Sequence, residues 1–301
     1  MISRASIADA PRAAALLRAT FDDRLNTVAG TQYRMASVLP KDRMGYWKAE
    51  HDGELIGWAN AGINTFAPRD TAAFGGIVVS PAHRRGGIGA ALWEVLHAHV
   101  EEIGVRRLVA TSEADADSMA FPQVRGFTLA ATQTSLAVDP RTIEPPTPLP
   151  PGVELRPFSA YADDPEPVYE GDLESILDEP GPDDHSGMTY ETWKRHHWDN
   201  PNCDHALSLA ALVDGQIVGT TFLFTDREEG RAMNGGTGVA RSHRGRGLGL
   251  LMKQHSLAAA ANAGIVRVFT QNDDTNAPMI AINERLGYTP FSAGYRWVLE
   301  R

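Results

Sequence analysis

Apolar residues recur at intervals of three and four along Ile88–Ile103 and again along Leu248–Ala263. That is the period of a helix with one buried face. Each run stops at a glycine, Gly104 or Gly264, at the position where a left-handed residue ends a helix. Short apolar runs flank both helices and predict strands. Gly75–Val79 and Gly235–Val239 lead in, and Arg107–Thr111 and Val266–Thr270 lead out. Further upstream in each half, Asp52-Gly53 and Asp214-Gly215 stand before apolar runs, the pattern of a tight hairpin. Pro11–Thr20 and Glu166–Leu177 predict an amphipathic helix ahead of each hairpin. After the second strand pair, a short helix and a final strand complete each half.

The two halves follow one plan. His51-Asp-Gly and Val213-Asp-Gly are offset by 162 residues, Arg84 and Arg244 by 160, and Gly126-Phe127 and Gly287-Tyr288 by 161. Three features at nearly one offset indicate a duplicated mixed α/β (α+β) domain of about 150 residues. Between the copies, Asp139–Gly152 holds six prolines in fourteen residues. It predicts an extended linker, because proline cannot donate to a hydrogen-bond ladder. The expected organisation is domain 1–138, linker 139–151 and domain 152–301.

Composition narrows the function. Hydrophobic residues make up 43% and charged residues 22% of the 301, as in a soluble globular chain. No apolar run reaches the roughly 20 residues that span a bilayer, and Met1–Pro11 lacks the apolar stretch of a signal peptide. The lone cysteine, Cys203, agrees with a reducing compartment. A cytoplasmic protein without a membrane partner is expected, as a monomer or homodimer. The net charge is −10, and Tyr161–Trp193 alone carries eleven Asp or Glu and no Lys or Arg. This balance disfavours nucleic acid as a partner and suits a cationic small molecule.

The candidate chemistry lies in Arg84-Arg85-Gly86-Gly87-Ile88-Gly89 and in Arg244-Gly245-Arg246-Gly247-Leu248-Gly249. In each, an apolar strand enters a glycine-rich turn that opens a long helix. The unpaired N–H groups and dipole of such a helix end favour an anion. The glycines allow a phosphate to approach closely, and Arg84 and Arg244 stand at the mouth, where they can pair with a pyrophosphate. Neither loop ends in the Gly-Lys-Ser/Thr of a triphosphate site. Neither half has the glycine spacing or the acidic residue of a dinucleotide domain.

Val78–Leu96 and Thr237–His255 each resemble the acyl-CoA loop of the GCN5-related N-acetyltransferase (GNAT) family. The resemblance covers most of the chain outside the linker. It implies two tandem acyl-CoA N-acyltransferase domains, each a twisted mixed sheet flanked by helices and splayed between its fourth and fifth strands. It implies that backbone groups of Ile77, Val79, Thr237 and Val239 border the pantetheine and pyrophosphate. It also implies acetyl-CoA as co-substrate and direct transfer to an amine, without a covalent enzyme intermediate; His196-His197 beside Asp199 match no standard zinc spacing, so no metal is expected.

The family's later motif distinguishes the halves. It places an Asn, a Tyr and a Gly-Phe at positions that read Asn276, Asn283 and Gly287-Tyr288 in the second half. Asn276 matches and is expected to bond the pantetheine. Asn283 stands where the family has the tyrosine that protonates the departing thiolate, and a carboxamide can only donate a hydrogen bond or place a water there. The first half reads Asp115, Pro122 and Gly126-Phe127, and Pro122 is expected to break or displace the helix. The second half is therefore expected to be the working acetyltransferase and the first a degenerate copy. The Val239 backbone N–H is the candidate oxyanion donor. Glu174, Asp178 and Glu179 are candidates to attract or deprotonate the amine, with His185, His196 and His197 as further bases. A small-molecule amine is the expected acceptor. The competing readings are a non-catalytic acyl-CoA sensor or scaffold and a protein or peptide N-acetyltransferase.

Overall fold

The structure, a computed structural model, describes residues 1–66, 72–178 and 185–300. It divides into two compact units, Met1–Thr132 with Gly294–Arg301 and Gln133–Ala293.

The first unit opens with β1 (Ile2–Arg4), α1 (Ala10–Thr20) and α2 (Val28–Ala36). The sequence reading did not anticipate α2, which starts where the Thr27 hydroxyl accepts a hydrogen bond from the Gly30 N–H. Strands β2 (Gly45–His51) and β3 (Glu54–Ile63) form the expected hairpin. Its turn residues, Asp52 and Gly53, both have positive φ, 49° and 81°. That pair of conformations matches the twist of the flanking strands. Next come β4 (Ala72–Val79), α3 (Ile88–Ile103), β5 (Arg107–Glu113), α4 (Ala116–Gln123) and the first residues of β6 (Thr128–Val138). Pro122 does not break α4, contrary to expectation. It sits in the last turn, and the helix ends with Gln123. Proline acts on the turn before it, here by withholding the N–H that Ser118 O would accept, and the helix ends one residue later.

Parallel pairing of β4 with β5 is confined to Ala72–Phe74 against Arg107–Val109, and the strands part beyond it. The opposite edge of β5 is closed antiparallel by Gly294–Glu300, from the far end of the chain. That segment brings Trp297 into the core, 2% exposed, beside Leu92, Leu96, Leu108 and Phe127. The Trp297 indole N–H donates to Ser112 Oγ at 2.9 Å.

The second unit repeats the plan with β7 (Val153–Pro157), α5 (Glu166–Leu177), α6 (Tyr190–Trp193), β8 (Leu209–Val213) and β9 (Gln216–Asp226). Asp214 and Gly215 turn the β8–β9 hairpin with φ of 51° and 77°. Then follow β10 (Arg231–Val239), α7 (Leu248–Asn262), β11 (Arg267–Asp273), α8 (Ala277–Arg285) and β12 (Thr289–Glu300). Here β10 and β11 are parallel over Arg231–Asn234 and Arg267–Thr270 and then part. The outer edge of β11 is closed antiparallel by Gln133–Val138 of β6. Thus the closing strand of each unit comes from the other half of the chain's sequence. The Pro-rich stretch lies against α7, where Thr147 O contacts the His255 ring at 3.0 Å. Among the described residues, no helix is long and apolar enough to cross a membrane.

Candidate functional site

Each helix after a glycine-rich turn is capped by a glycine in the left-handed backbone conformation. Gly87 has φ 85° and Gly247 has φ 78°. The first helical N–H groups to find a backbone carbonyl are Ala91, on Gly87 O, and Leu251, on Gly247 O. The N–H groups ahead of them have no carbonyl one turn back, so both turns present free donors at a positive helix end. A Cβ at Gly87 or Gly247 would meet nothing within 4 Å, so the space above each turn is open.

The expected arginines take another post. The Arg84 and Arg244 guanidiniums turn back on the strand that precedes them, donating from Nε to Val79 O at 3.5 Å and to Val239 O at 2.8 Å. Arg84 also lies 3.9 Å from Asp115, and Arg244 2.7 Å from Asp178. In this structure both side chains brace the loop on the strand, and the donors left open are the backbone N–H groups of the helix start. Arg85, with φ 64°, pairs with Asp117 at 3.0 Å, and Arg246 donates to Ser242 O at 3.1 Å.

Beyond the short parallel pairing, Gly75–Val79 and Gly235–Val239 have no β5 or β11 partner, and in the first unit Gly75–Val79 borders a cleft. In the first unit the cleft is a cavity of about 390 Å³. Ile77, Val79, Arg84, Arg85, Gly87 and Gly89 line it, as do Trp93, Pro122, Phe127 and Trp297. In the second unit Gly249 faces Ile282, Val239 and Thr237, with side-chain carbons 3.4–4.0 Å from where a Cβ would stand. A side chain larger than a methyl there would press on these neighbours.

The two strands differ in one respect. The register of β10 shifts between Asn234 and Gly236, whereas β4 pairs with β3 from Ala73 to Val79 without a break. Such a bulge re-aims the backbone. Below it the Asn234 amide donates to Thr221 Oγ1 at 3.0 Å and to Phe222 O at 2.9 Å, and Thr237 Oγ1 donates to Asn234 Oδ1 at 3.2 Å. Thr237 therefore has its hydroxyl in the sheet network.

Asn276 Oδ1 accepts the Met279 N–H at 3.3 Å and caps α8, as Asp115 caps α4 through Ser118. Asn283 is fully buried, and its Oδ1 accepts from Lys253 Nζ at 2.6 Å. Lys253, unremarked in the sequence reading, is 1% exposed. Burial, with no charged partner, pushes its ammonium down to about 7. Its position carried the signal, since it falls four residues after Gly249 and four before Leu257 on the apolar stripe of α7.

The acidic candidates lie at the loop. Asp178 pairs with both Arg241 and Arg244, which hold its carboxyl below the usual range, Arg241 foremost. Glu174 accepts the Arg241 N–H at 3.3 Å. Glu179 falls outside the described residues. A carboxylate not singled out in the sequence, Asp172, is 5% exposed between Thr220 Oγ1 at 2.6 Å and the Trp193 indole N–H at 2.9 Å. His197 packs against Phe222 and Trp193, and burial lowers it to about 4, so it stays neutral. Burial pushes the Cys203 thiol up to about 12, which leaves it unreactive. Among the described residues, no group of three His, Cys, Asp or Glu is placed to hold a metal ion.

A family model for the acetyltransferase (GNAT) family matches residues 13–127 and 172–288. A comparison with curated protein sequences returned no match. Among solved structures, a tandem GNAT protein from the clavulanic acid biosynthesis pathway superposes with a TM-score of 0.77 at 21% identity, over 100% of this chain and 98% of that one. A GCN5-related N-acetyltransferase from Sphaerobacter thermophilus gives 0.70 at 21% identity, over 100% and 95%. A GCN5-related glucosamine N-acetyltransferase region of a fungal multi-domain β-N-acetylglucosaminidase gives 0.68 at 15%, over 99% of this chain and 38% of that one. These likenesses concern the fold. The family match spans most of both halves, so a twice-built glycine-rich helix start beside a splayed parallel strand pair has its explanation: the chain belongs to the acetyltransferase (GNAT) family, with two GNAT domains in tandem.

Proposed function

We propose that the chain transfers an acetyl group from acetyl-CoA to a primary amine of a small cationic molecule, and that the second half carries the chemistry. The observation that carries this reading is the parting of β10 from β11, where a free strand edge meets an open helix start. The free N–H groups at Gly247–Gly249 suit a pyrophosphate, and the absence of a Cβ at Gly249 keeps the strand edge at Thr237 and Val239 from being blocked by a side chain. Acetyl-CoA, when bound, supplies an activated thioester. Thr237 and Val239 would border it along the strand, with the Val239 N–H as oxyanion donor, and Asn276 and Asn283 would flank it from α8. The bulge in β10, which β4 lacks, favours the second half, because a re-aimed backbone can direct an N–H at a developing charge.

For the amine, the acidic stretch offers attraction. Glu174 lies at the rim, and Asp178 is engaged by Arg241 and Arg244 until an anion or a substrate competes for them. Soluble amines are therefore the first acceptors to test. The rival reading, a non-catalytic acyl-CoA sensor, has one observation in its favour: Asn283 in place of the family's tyrosine leaves no phenol to protonate a thiolate. A thiol-release assay over an amine panel separates the two. Turnover supports the transferase, and thermal stabilisation by acetyl-CoA without turnover supports the sensor.

A further inference from the structure

Lys253, Asn283 and Tyr288 form a buried polar cluster that the fold does not need. All three side chains are at most 5% exposed. The Lys253 ammonium has one oxygen partner, Asn283 Oδ1 at 2.6 Å, with Met279 Sδ at 4.0 Å and the Tyr288 ring centroid at 5.0 Å. Asn283 Nδ2 and the Tyr288 hydroxyl have no hydrogen-bond partner. Two orphaned donors beside a lysine without a counter-charge is an expensive arrangement for a core. An apolar trio of similar size would hold the fold better.

The repeat shows where this cluster sits. At the offset of 160 or 161 residues, Lys253 corresponds to Trp93, Asn283 to Pro122 and Tyr288 to Phe127. All three counterparts line the cavity of the first unit. On α7, Lys253 lies one turn beyond Gly249, on the face turned to α8. By this correspondence the Lys253 side chain stands where, in the first unit, Trp93 faces the cavity.

We propose that Lys253 protonates the departing thiolate of CoA in the second half, held in place by Asn283, which occupies the position of the family's tyrosine. This rests on the reading that the second half binds acyl-CoA. As the amine nitrogen bonds to the acyl carbon and the carbon–sulfur bond breaks, the bond's electron pair leaves on sulfur and Lys253 Nζ gives it one proton. Neutral Lys253 then takes up the proton shed by the new amide nitrogen, and the ammonium is restored. An amine whose proton affinity is lowered by burial is suited to both steps. Tyr288 is the titratable group facing Lys253, while Glu284 and Arg285 of α8 are exposed.

The test has one arm that needs no turnover. Lys253→Cys, exposed to the disulfide of CoA, is expected to form a mixed disulfide seen by intact mass, which the wild type, whose half-buried Cys203 thiol is held protonated, does not form. In the thiol-release assay, Lys253→Met is expected to lose about 10²-fold or more in kcat with little change in KM for acetyl-CoA. It is also expected to lose the fall in kcat as pH rises through the lysine's titration. Adding Asn283→Tyr to Lys253→Met is expected to restore part of the rate. No capture at Lys253→Cys in a protein that acetyl-CoA still stabilises overturns the proposal. Wild-type kcat and pH profile in Lys253→Met overturn it too, as does acetylation of Lys253 itself by acetyl-CoA, since a proton donor keeps its amine. Absence of any stabilisation by acetyl-CoA in the wild type would instead sink the underlying acyl-CoA reading.

Discussion

At the scale of single residues, glycine geometry and a buried amine make separable predictions. Gly247 is held at φ 78° with open space around it, so a methyl group there meets strain but no clash. Gly247→Ala is expected to cost about 1–2 kcal/mol in denaturant unfolding, from the left-handed backbone alone. Lys253 acts on stability through its proton. It releases that proton near 7 in the fold and near 10.5 when unfolded. Between those values the unfolded chain binds more protons, so the burden of burying the charge is full below about 7 and fades as pH rises toward 10.5. Lys253→Met is therefore expected to raise Tm most on the acid side, with the gain shrinking on the alkaline side. A gain that grows with pH would contradict the burial. The glycine turns were legible in the sequence, because a required φ leaves a residue signature. The partners of Arg244 and Lys253 were not, because a charged side chain reads as solvated until its neighbours are known.

Among the elements, the hairpins and long helices followed their local patterns. Asp52-Gly53 and Asp214-Gly215 fixed their turns, and α3 runs over the full Ile88–Ile103 of its apolar period. The β10 bulge left no mark, since Asn234-Gly235-Gly236 and the unshifted Gly75-Gly76 look alike as text. Gly235 allows the bulge's neighbour: a Cβ there would stand 2.2 Å from the Phe224 ring. Proline misled at α4, because it withholds one hydrogen bond from the turn before it in a helix that ends at the next residue. The end of α5 bears on the loop through Asp178, whose carboxylate engages Arg241 and Arg244. Asp178→Asn removes the carboxylate that engages two cations at this loop. It is expected to tighten CoA binding severalfold and to steepen its salt dependence, both read by titration calorimetry. Weaker binding would mean that Asp178 holds the loop in its receptive shape.

For the whole molecule, the duplication was legible and the source of the closing strands was not. Pairing of Gly294–Glu300 with β5 joins residues nearly two hundred positions apart and has no local signature. Its consequence is testable. Ending the chain after Ala293 removes Trp297 and the partner of β5 from the first unit and leaves the second unit's strands in place. Amides of β5 are then expected to exchange freely while those of β10 and β11 stay protected. Trp297→Ala alone is expected to cost the first unit about 3–5 kcal/mol. The tandem arrangement also frames the central claim, that two folds of one kind serve a single working site in the second half. Thiol release from acetyl-CoA with an accepted amine, measured for Gly87→Glu and Gly247→Glu side by side, tests it most directly. Turnover is predicted to survive in Gly87→Glu and to vanish in Gly247→Glu, and the reverse pattern would contradict the account.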